Sequence, residues 1–162
     1  MKILLTLLLL ALMACRSDHS RQESYSKNPL PKFRFISVNN SQIVSSDAIS
    51  TNSPIVFIYF NPDCDHCQKE TKSIIQHIEM LKSAQLYWIS NDSLEPLRQF
   101  KEIFGFGKFS NAFICQDYKY SFYNCFLPSE VPYIIIYNKG GRLKRIFKGQ
   151  TDPNFIIANT IN

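Results

Sequence analysis

Six consecutive apolar residues, Ile55-Val56-Phe57-Ile58-Tyr59-Phe60, run without a polar interruption and stop at Asn61-Pro62-Asp63. A strand solvated on one face alternates apolar and polar residues. An unbroken β-branched and aromatic run belongs to a strand covered on both faces, and such strands are typical of α/β sheets. Directly after the break the period lengthens. Ile74, Ile75, Ile78 and Leu81 recur at helical spacing with polar residues between them, which predicts a helix over 64–83. A buried strand, a sharp break and an amphipathic helix in immediate succession leave few folds open to the chain.

The remaining pattern agrees with this unit. An alternating run over 33–38 and a short return over 42–45 predict strands separated by the turn Asn39-Asn40-Ser41. QLYWIS over 85–90 predicts another strand. Asn91-Asp92-Ser93 can cap a helix that tolerates Pro96 in its first turn and ends near Gly105 and Gly107. A strand over 112–115, a helical turn or two over 120–126, the strand YIIIY over 133–137, a hairpin turn at 138–141, a partner strand over 143–147 and a last helix from Asp152-Pro153 to Ile157 complete the order. The expected fold class is α/β: a mixed sheet with helices on both faces, in one domain over 33–162.

The first 32 residues lie outside that domain. One lysine precedes a twelve-residue apolar run over 3–14, too short for the roughly 20 residues that span a bilayer and suited to the core of a secretory signal. The run ends in Leu12-Met13-Ala14-Cys15, which resembles a bacterial lipobox, less usual only in its Met13. That resemblance implies cleavage after residue 14, acylation of Cys15, a membrane anchor and a location in the cell envelope outside the cytoplasm. Residues 16–32 are polar and contain two prolines. A flexible linker of this length spans about 20 Å. Loss of the signal lowers the net charge from +5 to +4. No run of five like charges and no basic helix face is present, which argues against a nucleic-acid partner.

Export places the remaining cysteines, Cys64, Cys67, Cys115 and Cys125, where disulfides persist. Cys64-Asp65-His66-Cys67 opens the predicted helix. Helix N-termini carry unpaired N–H groups and about half a positive charge, and so favour an anion such as a thiolate, the nucleophile of disulfide exchange. Cys64 is expected at the exposed tip and Cys67 one turn deeper on the same side, placed to attack a mixed disulfide on Cys64. Protonated His66 favours the reduced form, and ionised Asp65 opposes it. This chemistry is carried by sulfur alone and calls for no cofactor. Two other readings of the motif exist. Zinc usually takes four ligands, whereas Cys115 and Cys125 lack the spacing and His77 falls on the polar side of the helix. A purely structural disulfide is the other.

The run from Ile55 through Cys67 resembles the first strand and active site of thioredoxin-like proteins. Val131-Pro132, just before YIIIY, resembles that family's cis-proline loop, and Gly140-Gly141 and Gly149 match its closing hairpin. The likeness is nearest to the membrane-anchored TlpA/ResA-type lipoproteins, which carry an acidic residue three positions after the second cysteine. Glu70 stands there, either as a proton partner of Cys67 or as a solvated residue of the helix face. The chain departs from the family at Asp63, where a tryptophan is usual, and at Ile58, where classical thioredoxins carry a buried acid. Cys115 and Cys125 are an addition to the common motif: a structural disulfide, a second redox pair or two buried thiols.

The resemblance implies a thiol–disulfide oxidoreductase acting on exported protein thiols or disulfides, with reduction favoured and a membrane or soluble thiol as electron donor. A peroxiredoxin-like peroxide reductase needs a proline farther ahead of its cysteine than Pro62 stands. A copper-binding assembly protein of this fold needs a late histidine, whereas His19, His66 and His77 all lie in the first half. An inert binding module has no need of both Cys64 and Cys67.

Overall fold

The computed structural model describes residues 29–161, so the apolar leader, Cys15 and most of the linker lie outside the described residues. Among the described residues seven strands form one sheet in the order β2-β1-β5-β4-β3-β6-β7. The strands are β1 (Arg34–Ser37), β2 (Ile43–Ser45), β3 (Ile55–Tyr59), β4 (Gln85–Ser90), β5 (Ala112–Gln116), β6 (Tyr133–Tyr137) and β7 (Leu143–Lys148). The central strands β3, β4 and β5 are parallel, and β1, β2, β6 and β7 add antiparallel edges.

β3 and β6 are buried at every position, as their unbroken apolar sequences require. Even residues of β3 (Val56, Ile58) face helices α1 (Asp65–Gln76), α2 (Leu94–Ile103) and α4 (Pro153–Ile161). Odd residues (Ile55, Phe57, Tyr59) lie on the other face, with Phe33 and Phe35, under the short helix α3 (Ser121–Phe126). Helices therefore cover both faces. The second face is an aromatic cluster in which Phe33 and Phe57 meet edge to face and Tyr59 stacks on Phe122 at 5.6 Å.

The helix expected over 64–83 is divided. α1 stops at Gln76, His77 turns out of helical geometry (φ −113°, ψ 15°), and a 3₁₀ turn continues over Ile78–Leu81. The His77 ring nitrogen Nδ1 lies 2.9 Å from the Ser73 carbonyl, engaging a helix-end acceptor. The β6–β7 hairpin requires glycine at Gly141, where φ is +70° and a Cβ would sit 2.8 Å from the Thr51 side chain. No helix among the described residues is long and apolar enough to cross a membrane.

Candidate active site

The site lies at the C-terminal ends of the parallel strands, where open α/β sheets leave a crevice. Phe60 donates its N–H to the Ile89 carbonyl at 3.0 Å and carries the β3–β4 pairing one residue beyond the strand. The chain then turns. Asn61 Oδ1 accepts the Asp63 N–H at 2.8 Å, and the Asn61 carbonyl accepts the Cys64 N–H at 3.2 Å. The Pro62 carbonyl accepts from Gln68 Nε2 at 2.8 Å, tying the turn to the helix it launches. This turn sets Cys64 at the N-cap of α1 with extended backbone (φ −83°, ψ 120°) and a half-buried side chain that makes no capping bond. The first-turn amides are left facing that end of the helix.

Cys67 lies one turn on, buried to 1% exposure and near enough to the Cys64 side chain to feel it. Burial pushes its thiol up to about 12; a backbone hydrogen bond from Asn61 lowers it, while Cys64 and Glu70 raise it further. Cys67 is therefore held protonated until its proton has somewhere to go. Glu70 is the nearby carboxyl that Cys67 feels, and it is fully buried, which removes its reading as a solvated helix-face residue. Its Oε2 accepts the Thr151 N–H at 2.7 Å, and its Oε1 has no hydrogen-bond partner. Burial raises the Glu70 carboxyl to about 7, against the lowering effect of the Thr151 N–H, with Asp152 adding to the rise. Next along α1, the Thr71 hydroxyl accepts from buried Trp88 Nε1 at 3.0 Å and pins the helix to β4.

The Val131-Pro132 peptide bond is cis, as the resemblance implied. Val131 packs against both faces of the core, and half-buried Cys64 packs against one of them. The Pro132 carbonyl accepts the Gly149 N–H at 2.9 Å. Asp63, Asp65 and His66 are exposed around Cys64, and His66 Nδ1 lies 3.4 Å from Gln150 Oε1. Gln150, Thr151 and Asp152 are site neighbours that the sequence did not reveal; they lie some 80 residues from Glu70, with no motif to mark them.

Cys115 and Cys125 are separate thiols in this structure, as are Cys64 and Cys67. Cys115 is buried on β5 within the aromatic cluster, while Cys125 on α3 is exposed with its sulfur 3.7 Å from the Lys32 carbonyl. They are thus not two buried thiols. Ile58 is part of the apolar core. No group of three or more His, Cys, Asp or Glu side chains able to hold a metal forms among the described residues.

No family model and no curated protein matches the chain. Solved structures do. DsbF of MTB, determined in mixed oxidized and reduced forms, is 14% identical with a TM-score of 0.68 over 79% of this chain and 92% of that one. A secreted Mycobacterium tuberculosis disulfide oxidoreductase homologous to E. coli DsbE is 13% identical with a TM-score of 0.66, covering 79% and 93%. A thioredoxin-like protein from Aeropyrum pernix is 12% identical with a TM-score of 0.64, covering 94% and 99%. The fold is thioredoxin-like. At these identities the likeness speaks to the fold, and the chemistry rests on the side chains just described.

Proposed function

We propose that the chain is a thiol–disulfide oxidoreductase that reduces disulfides of exported proteins through Cys64 and Cys67. The observation that carries this reading is the pairing of a half-exposed Cys64 at the tip of α1 with a buried Cys67 one turn deeper in the same helix. In the proposed cycle the Cys64 thiolate attacks a substrate disulfide, forming a mixed disulfide and expelling one substrate thiolate. Cys67 sulfur then attacks Cys64 sulfur while its proton passes to Glu70. The second substrate thiolate leaves, two electrons have moved to the substrate, and Cys64–Cys67 is oxidised. A membrane or soluble thiol donor restores the dithiol.

Reduction is favoured over oxidation because the TlpA/ResA-type proteins that the chain resembles commonly act as reductases. Cys67 is buried as a neutral thiol beside an acid of near-neutral affinity for protons, which suits release of that proton during resolution.

The finer assignment to the TlpA/ResA-type lipoproteins is supported by Glu70 at the expected position and by Leu12-Met13-Ala14-Cys15. On this reading Cys15 carries the lipid, residues 16–32 form the tether, and the domain works in the cell envelope. Mass spectrometry of the mature chain tests the anchor: an unmodified peptide with another N-terminus rejects it. Reduction of insulin by wild type and by Cys64→Ser tests the activity. Turnover that Cys64→Ser abolishes is expected, and an inactive wild type refutes the assignment. A couple near −120 mV instead of about −270 mV refutes the reducing direction.

A further inference from the structure

Consecutive residues after β7 reach three separate parts of the site. Gly149 donates its N–H to the Pro132 carbonyl at 2.9 Å, Gln150 Oε1 lies 3.4 Å from His66 Nδ1, and Thr151 donates its N–H to Glu70 Oε2 at 2.7 Å. Asp152 follows, and its Oδ1 accepts the Asn154 N–H at 2.8 Å where α4 begins. The turn is braced by Gly149 at φ +71° and by the Thr151 hydroxyl, which donates to the Gly149 carbonyl at 3.2 Å.

We propose that the Thr151 main-chain N–H and the Asp152 carboxylate are a positioning pair of opposite sign that sets the pH at which Glu70 accepts the Cys67 proton. This rests on the reading of Glu70 as the proton acceptor in the resolving step. A donor on Oε2 favours the carboxylate, and a neighbouring negative charge disfavours it. Because Oε2 is occupied and Oε1 is buried without a partner, Oε1 is the oxygen left to take the proton. Among the described residues, the titratable groups that act on Glu70 or feel its charge are Asp152 from the turn and Cys67 from α1. Loosening either member of the pair therefore shifts the resolving step along the pH axis, in opposite directions.

The test uses the full chain with Cys15 and Cys125 changed to serine, so that those thiols do not react. 5,5′-Dithiobis(2-nitrobenzoate) loads Cys64 with nitrothiobenzoate, and release of a second nitrothiobenzoate reads attack by Cys67. Asp152→Asn keeps a helix-capping side chain and removes the charge. It is expected to move the acid limb of the resolving rate to lower pH, raising the rate about twofold below the midpoint. Thr151→Pro removes the N–H and is expected to move the limb to higher pH, slowing the step about tenfold there. Carbon-13 NMR of the Glu70 side-chain carboxyl should show the same opposed displacements. Midpoints that stay in place, or move in the same direction, overturn the proposal. If Thr151→Pro does not fold, an unmoved midpoint in Asp152→Asn overturns it alone. If the parent protein releases no second nitrothiobenzoate at any pH, the oxidoreductase reading fails, and the Glu70 titration still decides whether the pair acts as stated.

Discussion

Replacing Glu70 with glutamine should make the protein less active, and more stable only at the pH where the Glu70 carboxyl is charged. The Glu70 carboxyl is raised from its ordinary 4.5 to about 7, chiefly because it is fully buried. A group whose folded-state value is raised contributes its full stability below the unfolded value and loses it as pH rises through the folded value. Glu70 therefore becomes progressively unfavourable to the fold between about pH 4.5 and pH 7. Converted at 1.36 kcal/mol per unit, the charged group costs about 3 kcal/mol above that window. A neutral glutamine side chain avoids the charge. Its amide oxygen can still accept the Thr151 N–H, while its NH₂ takes the place of the unpartnered Oε1 at about 1–3 kcal/mol. The net expectation is a gain of about 1 kcal/mol at pH 8 and a loss of about 2 kcal/mol at pH 4, where there is no charge to relieve and the amide cost remains. Urea unfolding under reducing conditions at pH 4, 6 and 8 measures it. The same variant should slow attack by Cys67 about 10²-fold or more if Glu70 takes its proton. A Glu70→Gln difference that is equal at pH 4 and pH 8 would refute the reasoning, because desolvation of a charge cannot act where the charge is absent.

Other outcomes follow from single contacts. Cys67→Ser should accumulate a mixed disulfide on Cys64 with a substrate protein, visible on a non-reducing gel, because Cys64 is half-exposed and the resolving sulfur is gone. Thr71→Val should destabilise the fold by about 1–3 kcal/mol, read by thermal or urea unfolding, because it leaves the buried Trp88 Nε1–H without its acceptor. Iodoacetamide applied to the native, fully reduced protein should label exposed Cys125 and leave buried Cys115 unmodified until denaturant is added, as peptide mass spectrometry would show.

The parts of this fold that are legible in sequence are those whose signal is local. β3 and β6 are unbroken apolar runs, and both occur where the runs stand. Cys64 falls at a helix start because Asn61-Pro62-Asp63 ends one element and allows the next. The extent of that helix is harder to read. Ile74, Ile78 and Leu81 keep nearly the same spacing in an α-helix and in a following 3₁₀ turn, so periodicity does not see the change at His77. Glu70 and Thr71 mark the larger gap. Both are polar residue types, yet on a helical wheel Thr71 falls between Ile74 and Ile75 and Glu70 beside Ile74, and both are completely buried. What covers them comes from far along the chain: the turn at Gly149–Asp152 over Glu70 and Trp88 of β4 against Thr71. Spacing puts the two on the buried face; the partners of their polar atoms are set by tertiary contact that residue type alone does not reveal. The pairing of β1 with β5 is similarly long-range, an antiparallel edge whose partner is some 80 residues away.

The bond between Trp88 and Thr71 also makes the molecule report on itself. Trp88 is the chain's single tryptophan, is completely buried, and donates its indole N–H to the residue beside Glu70 on the helix that Cys64 caps and Cys67 belongs to. All indole emission therefore comes from one place, within a turn or so of Cys67 along α1. Release of α1 from the sheet breaks that bond and alters the surroundings of that one fluorophore, giving an optical record of the helix without any added label.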